Sequence, residues 1–414
     1  MECIVSKGTR AKDAPDIAGG DRRHTVRPSP WRIPTFGLAF ALAVVGCSTV
    51  VATPSLTSSS AASASPTLGA TLTPTLTPTV TPTPSSISTP TAAPTHARPV
   101  FTATGSTLVA LYGAAATLLN DGEVLVVGGD PGPAELYDPT TGKFRTTGTP
   151  HYPYVDHAVL LTNGNVLTLG YESYAEIYDP STGRFSPTGS SSVARDDATA
   201  TLLNDGQVLV AGGGDFYGLY KSADLYDSAT GKFSPTGPMK TARDCATSTL
   251  LHDGRVLIAG GDDRDGYPMS SAEIYDPRTG RFSATGSMNR PRFCQTATLL
   301  ANGNVLMVGG SDDNSADLYE PNTGKFSLTG SYASVGRQGN TATLLNDGRV
   351  LVTGGLHNGD PTIAEIYNPA TGTFSLTGHT TNGSSYQTAT LLRDGRVLVI
   401  GGDASPNSAE LYWP

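Results

Sequence analysis

The sequence is poor in charge, in cysteine and in long apolar runs. Only 15% of the 414 residues are charged, and 36 Asp and Glu outnumber 27 Lys and Arg, for a formal net charge of −9. Nucleic acids and anionic lipid headgroups need clustered positive charge, so we expect no nucleic-acid partner. The four cysteines follow no metal-site spacing and are too few for a disulfide scaffold. We therefore expect neither a metal nor a cofactor.

The strongest apolar stretch, residues 36–46, is too short to span a bilayer as a helix. Arg22, Arg23, Arg27 and Arg32 form a basic region before it, and small residues then lead to a lone cysteine, Cys47. Residues 1–47 resemble a signal peptide with the lipobox of bacterial lipoproteins. The resemblance implies an exported protein, extracytoplasmic or on the cell surface, that is acylated on Cys47 and touches the membrane through lipid only. An ordinary signal peptide, with Cys47 incidental, is the alternative.

Residues 48–98 consist almost wholly of Ser, Thr, Pro and Ala. Such a composition buries too little apolar surface to offset the loss of chain entropy. Its prolines favour extended backbone. We predict a disordered stalk that holds the following domain away from the membrane.

Residues 99–414 repeat one pattern of four short β-strands, and this domain contains most of the 48 glycines. In the third unit, residues 200–206 lead through an Asp-Gly hairpin into residues 207–213. The strands at 223–227 and 231–237 are joined by a turn rich in Asp, Thr and Gly. Four strands per unit without a helical period are typical of a propeller blade.

The pattern occurs seven times, counted on the glycines that end the second strand and on the phenylalanine of the fourth. The repeats begin with a fourth strand around Phe101 and end inside a third strand at residue 414. We predict an all-β, seven-bladed propeller in which the N-terminal strand completes the last blade and closes the ring. Residues 99–414 would then form one domain.

The order of Gly-Gly, a following Tyr and an aromatic residue seven positions later resembles the kelch motif. Residues 194–213 are similar to its bacterial variety, with Phe in place of the usual Trp of the fourth strand. The resemblance covers all seven units and implies a kelch-type β-propeller. It implies no single function, because propellers carry many unrelated activities.

The loops between strands two and three are predicted to form the binding surface. Their lengths are 4, 4, 9, 10, 5, 8 and 6 residues, whereas the other turns within the blades hardly vary. The two longest carry aromatic rings beside carboxylates, namely Asp215, Phe216, Tyr217, Tyr220, Asp262, Asp263, Asp265 and Tyr267. These side chains could bind a sugar or anchor a protein. Alternatively, they only pack the loops onto the blades.

Two further sets of residues recur with the repeat. Cys245 and Cys294 are equivalent, and a disulfide between them is possible in an exported protein. Four equivalent arginines could form an anion-binding ring, or could each bond backbone carbonyls or a carboxylate such as Asp196 or Asp244. The recurrence favours the second interpretation. The arginines are Arg195, Arg243, Arg292 and Arg337.

An enzyme is an open alternative, since the central domain of galactose oxidase is a seven-bladed kelch propeller. That resemblance implies copper-radical chemistry with two His, two Tyr and a Cys crosslinked to one Tyr. The best candidates are His151, Tyr152, Tyr154 and His157, but the histidines do not recur in a ligand-like pattern. A glycosidase carboxylate pair also remains possible.

The interpretation we favour is a monomeric, lipid-anchored propeller that binds a glycan or a protein of the cell envelope. The alternatives are an extracytoplasmic carbohydrate-active enzyme, with the copper-radical oxidase as a special case, and a structural scaffold in a surface assembly.

Overall fold

The computed structural model describes residues 99–111, 113–129, 131–333, 336–355 and 360–414. The predicted signal peptide, its Cys47 and the stalk lie outside these ranges. All regular structure in the described ranges is β, and within them no helix has the length and apolarity needed to cross a membrane.

Twenty-eight strands form seven antiparallel four-stranded sheets, here called blades 1 to 7. Blade 1 consists of Ala115–Leu118, Val124–Val127, Glu135–Asp138 and Lys143–Thr146. Blade 2 consists of Val155–Leu160, Val166–Gly170, Tyr174–Asp179 and Arg184–Ser190. Blade 3 consists of Thr199–Leu202, Val208–Ala211, Ala223–Asp227 and Lys232–Pro235. Blade 4 consists of Thr247–Leu250, Val256–Ala259, Ala272–Asp276 and Arg281–Ala284.

The remaining blades follow the same order. Blade 5 consists of Thr296–Leu299, Val305–Val308, Ser315–Glu320 and Lys325–Ser331. Blade 6 consists of Asn340–Leu344, Val350–Gly354, Ile363–Asn368 and Thr373–His379. Blade 7 consists of Thr388–Leu391, Val397–Ile400, Ala409–Trp413 and, from the other end of the domain, Val100–Ala103. A small hairpin, Gly214–Asp215 with Gly218–Leu219, extends the strand two–three loop of blade 3.

The predicted ring closure is confirmed. Val100–Ala103 pairs antiparallel with Ala409–Trp413, and Phe101 lies opposite Tyr412 with ring centroids 4.9 Å apart. The N-terminal strand thus covers an edge that would otherwise be free to pair with another chain. The fold is the all-β, seven-bladed propeller that the repeats predict.

Seven hydrophobic clusters form the core, and each cluster combines residues of two adjacent blades. The second strands are buried along their whole length, as in Val124–Val127 and Val256–Ala259. Both faces of these strands need apolar side chains because each blade packs on a neighbour on either side. The continuous Val-Leu-x-x runs of the sequence meet this need.

A tyrosine in the third strand links each blade to the one before it. All seven tyrosines are buried, lie 4.7–4.9 Å from the phenylalanine of the same blade, and hydrogen-bond a threonine of the preceding blade at 2.7–3.0 Å. The pairs are Thr104–Tyr137, Thr147–Tyr178, Thr188–Tyr226, Thr236–Tyr275, Thr285–Tyr319, Thr329–Tyr367 and Thr377–Tyr412.

A glycine follows each linking threonine, and at six of the seven positions the next blade approaches too closely for a Cβ. The amide of Gly286 donates to the carbonyl of Gly324 in the next blade at 2.9 Å. A Cβ at position 286 would lie 2.4 Å from that carbonyl oxygen. The recurrent Thr-Gly of the fourth strand is therefore a contact between blades.

Candidate functional site

The strand two–three loops and the connections entering each first strand lie on one face, here called the loop face. Backbone hydrogen bonds join them: Asp196 and Gly214 exchange two bonds of 2.8 and 2.9 Å, and the amide of Asp262 donates to the carbonyl of Asp244 at 3.2 Å. Residues from the variable loops therefore meet the entry segments around the mouth of the central channel.

The four repeated arginines are buried anchors within their own blades. Each guanidinium donates to the carbonyl of the first glycine in the Gly-Gly pair at the end of strand two, at 2.5–2.8 Å, and to a carboxylate of strand three, at 2.9–3.4 Å. The carboxylates belong to Asp224, Glu273, Asp317 and Glu365 and not to Asp196 or Asp244 as the sequence had suggested. Each arginine is at most 3% exposed, so the geometry does not favour an open anion-binding ring. These arginines are Arg195, Arg243, Arg292 and Arg337.

In the segments entering blades 3, 4, 5 and 7, one equivalent residue at the channel mouth adopts the left-handed conformation. Asp197, Cys245, Cys294 and Tyr386 have φ of 44–57°, a region that non-glycine residues rarely occupy. Backbone amides connect them in order with Gly339, since each residue's amide donates to the carbonyl of the preceding one at 2.8–3.3 Å. The result is a series of backbone hydrogen bonds that runs from blade 3 to blade 7.

Cys245 and Cys294, which belong to this hydrogen-bonded series, form a disulfide. Their Cα atoms are 4.9 Å apart, and the bond joins blade 4 to blade 5. The equivalence of the two positions in the repeat suggested this pairing.

Two of the predicted loop aspartates shape their own loops. Asp215 accepts the amide of Tyr217 at 2.7 Å and the hydroxyl of Tyr220, while Asp263 accepts the amides of Asp265 and Tyr267 at 3.0 Å. The hydrogen bond from Tyr220 lowers the pKa of Asp215. Both carboxylates therefore accept hydrogen bonds from residues of their own loops.

A third aspartate of these loops, Asp262, belongs to an acidic cluster on blades 2 to 4. Burial raises the pKa of Asp156 to about 8, aided by Asp196 and Asp197, and raises that of Asp197 to about 6. Burial, followed by a hydrogen bond shared with Asp262, raises the pKa of Asp244 to about 9. The sequence alone did not identify this cluster, because its members come from three blades. The sequence offered one signal for the cluster, which is an Asp near the start of the first strand in each of blades 2 to 4.

We expect the free energy of unfolding to fall as the pH rises from about 4 to about 9. Because the pKa values of Asp156 and Asp244 are raised in the folded state, that state holds protons that the unfolded chain releases near its ordinary pKa. Asp156→Asn, which keeps a neutral side chain, should flatten this slope. The gain in the free energy of unfolding over the wild type should be about 1–2 kcal/mol larger at pH 8 than at pH 6. Urea unfolding at several pH values measures the effect. A wild-type stability that is constant or rises across this range would contradict the prediction.

Exposed aromatic side chains lie on the same face and on the same three blades. Among the described residues, all six exposed large aromatic side chains belong to loop-face segments of blades 2 to 4. We call this set the aromatic arc: Tyr154, Tyr171, Tyr174, Phe216, Tyr217 and Tyr267. The predicted loop residues supplied Phe216, Tyr217 and Tyr267 of this set. The predicted Tyr220 is half-buried instead and lies 5.9 Å from the Arg195 guanidinium.

Two shallow pockets open along the aromatic arc. One, of about 210 Å³, lies on blade 3 beside Tyr217, Tyr220 and Arg264. The other, of about 290 Å³, lies on blade 2 among Tyr152, Tyr154 and Tyr174. Sequence reasoning had considered Tyr152 and Tyr154 only as possible copper ligands.

The described residues do not fit a copper site. They contain no group of three His, Cys, Asp or Glu side chains placed to hold a metal ion. Nε2 of His157 bonds the carbonyl of Ala198, and Nδ1 of His151 bonds Glu176. His252 lies in a strand one–two hairpin on the opposite face.

Comparison with known proteins agrees with the fold. The family described as Kelch motif matches residues 245–289. A solved structure of a fungal alcohol oxidase of the AA5 family, in complex with copper, is similar with a TM-score of 0.62. It shares 17% sequence identity, and the match covers 76% of each chain. A search of curated proteins finds no match. By architecture this chain is a seven-bladed β-propeller, and it carries a kelch motif at residues 245–289.

Proposed function

We propose that the chain is a binding module whose aromatic arc holds a glycan. One observation carries the proposal: in the described part of the chain, every exposed large aromatic side chain lies on one face of three consecutive blades. Scattered single apolar residues on a surface need no explanation, but a contiguous group suggests a binding site.

The chemistry of the arc suits a sugar. The C–H face of a sugar ring packs on an aromatic ring, and carboxylates beside it accept hydrogen bonds from hydroxyl groups. Phe216 and Tyr217 are 78% and 83% exposed, and Asp262 and Asp265 lie on the neighbouring loop. A protein of the cell envelope is the alternative ligand, since aromatic residues are also enriched at protein interfaces.

Phe216→Ala and Tyr217→Ala should each weaken binding of the recognised glycan about tenfold, because each removes a large exposed contact surface. A glycan array identifies the ligand, and titration of the variants measures the loss. Leu376→Ala is the matched control, since Leu376 is 63% exposed on the fourth strand of blade 6. The protein ligand would be favoured if the array gives no hits and the chain captures one envelope protein, provided that Tyr217→Ala abolishes this capture. If Phe216→Ala and Tyr217→Ala leave the capture of that protein unchanged, the structural scaffold is favoured.

A second candidate function is hydrolysis of the bound glycan, and the acidic cluster favours it. Burial, and a hydrogen bond shared with Asp262, raise the pKa of Asp244 and so favour its protonated, acidic form. General acids have this property. Asp244→Asn should then abolish product release from the glycan while binding persists, as chromatography of the sugar products would show.

We further propose that the protein is exported and anchored by a lipid on Cys47, with residues 48–98 as the stalk. The Cys245–Cys294 disulfide supports an oxidising compartment, because such bonds are rare in the cytosol. Mass spectrometry of the mature protein, with its N-terminus at acylated Cys47, is the expected result. A mature N-terminus at any other residue would contradict the anchor.

A further inference from the structure

The pocket on blade 2 has walls of tyrosine. The rings of Tyr152 and Tyr174 stack with centroids 4.7 Å apart and an angle of 9° between their planes. Tyr154 lines the same pocket and is 59% exposed, and Tyr174 is 47% exposed. These rings border a volume of about 290 Å³, which is large enough for a small organic group.

The charged groups that line this pocket are acidic. Glu172 and Glu176 line it, and no Lys or Arg is among its described lining residues. Glu176 is buried and accepts the backbone amides of His151 and Tyr152 at 2.9–3.2 Å, so it fixes the segment that carries the tyrosines. Glu172 is exposed, and no described residue forms an ion pair with it. The pocket therefore offers a cation a free carboxylate beside aromatic rings.

We infer that this pocket receives an ammonium group and that the glycan bound on the aromatic arc carries a free amine. The inference rests on the proposed function and narrows its ligand to an amino sugar that is not acylated. The electron-rich faces of tyrosine rings attract cations, and sites that recognise organic ammonium groups combine such rings with a nearby carboxylate. A neutral sugar could donate hydroxyl hydrogen bonds to Glu172 but would bring no positive charge to the carboxylate or the rings.

The test compares a glucosamine tetramer with the N-acetylglucosamine tetramer in mildly acidic buffer, where the free amines are protonated. The full-length protein should bind the glucosamine tetramer about three- to thirtyfold more tightly. Glu172→Gln should remove most of this preference, because it removes the carboxylate and retains the shape of the side chain. Tyr174→Ala should reduce it as well.

Tyr217→Ala is the matched control, because Tyr217 lies on the arc but outside the blade 2 pocket. This variant should weaken both tetramers by the same factor and leave their ratio unchanged. Equal or tighter binding of the acetylated tetramer would overturn the inference and leave the glycan-binding function intact. Failure to bind either tetramer would overturn it too. If another glycan is then bound through Tyr217, the proposed function survives.

Discussion

Arg292→Met is expected to lower the free energy of unfolding by about 3–5 kcal/mol, because it leaves the buried Asp317 carboxylate without its cation. Both side chains are fully buried, and two guanidinium nitrogens of Arg292 donate to one oxygen of Asp317 at 2.9 and 3.1 Å. The same guanidinium also donates to the carbonyls of Gly309 and Ser315. Asn289 would be the remaining donor to Asp317. Urea unfolding measures the loss.

The matched control is Arg278→Met, which removes an arginine that pairs with Asp276 on the surface. The Arg278 side chain is 86% exposed, and solvent screens its 3.2 Å pair. This variant should unfold at the same urea concentration as the wild type. Adding Asp317→Asn to Arg292→Met should restore part of the lost stability, because the uncompensated charge disappears. A loss no greater than that of Arg278→Met would show that Arg292 is not a buried anchor.

Reduction of the Cys245–Cys294 disulfide is expected to lower the free energy of unfolding by about 2–4 kcal/mol. The bond closes a loop with a sequence separation of 49 residues, and loops of this length restrict the unfolded chain substantially. It also joins the channel-mouth segments of blades 4 and 5. Unfolding in urea with and without a thiol reductant measures the difference, and mass spectrometry confirms the state of the bond.

A variant with both cysteines changed to serine serves as the control. It should match the reduced wild type and should not respond to the reductant, because it lacks the bond while it keeps the other two cysteines, Cys3 and Cys47. If the reductant lowers the stability of this double-serine variant as much as that of the wild type, the effect belongs to Cys3 and Cys47. A wild type that contains two free thiols at positions 245 and 294 before reduction would contradict the disulfide itself.

The fold was predictable because each of its contacts is repeated. Blade number, hairpin positions and ring closure by Phe101 follow from a pattern that occurs seven times, and a local turn signal such as Asp205-Gly206 fixes each hairpin. The repeated Tyr and Thr were visible too. Their function as links between blades is visible only in the tertiary structure, since Thr236 and Tyr275 are far apart in sequence and bond at 2.9 Å.

The candidate site was predictable only in part. Loop length pointed to Phe216, Tyr217 and Tyr267, which are all exposed. It could not point to Tyr174, because the loop of blade 2 is among the shortest. The stacking of Tyr174 on Tyr152 arises when the connection from blade 1 packs beside that loop.

By itself, the sequence determined the propeller, its seven blades and the strand that closes the ring, because these depend on local patterns and their repetition. The tertiary structure decided which side chains meet. Two adjacent residues show the difference. Arg195 pairs with Asp224 inside its blade, while Asp196 joins Asp156 and Asp197 in a cluster with raised pKa values. Arg195 and Asp196 are neighbours in the segment before the first strand of blade 3, yet their side chains have unrelated partners. Only the packing of blades 2 to 4 shows where acidic and aromatic side chains gather.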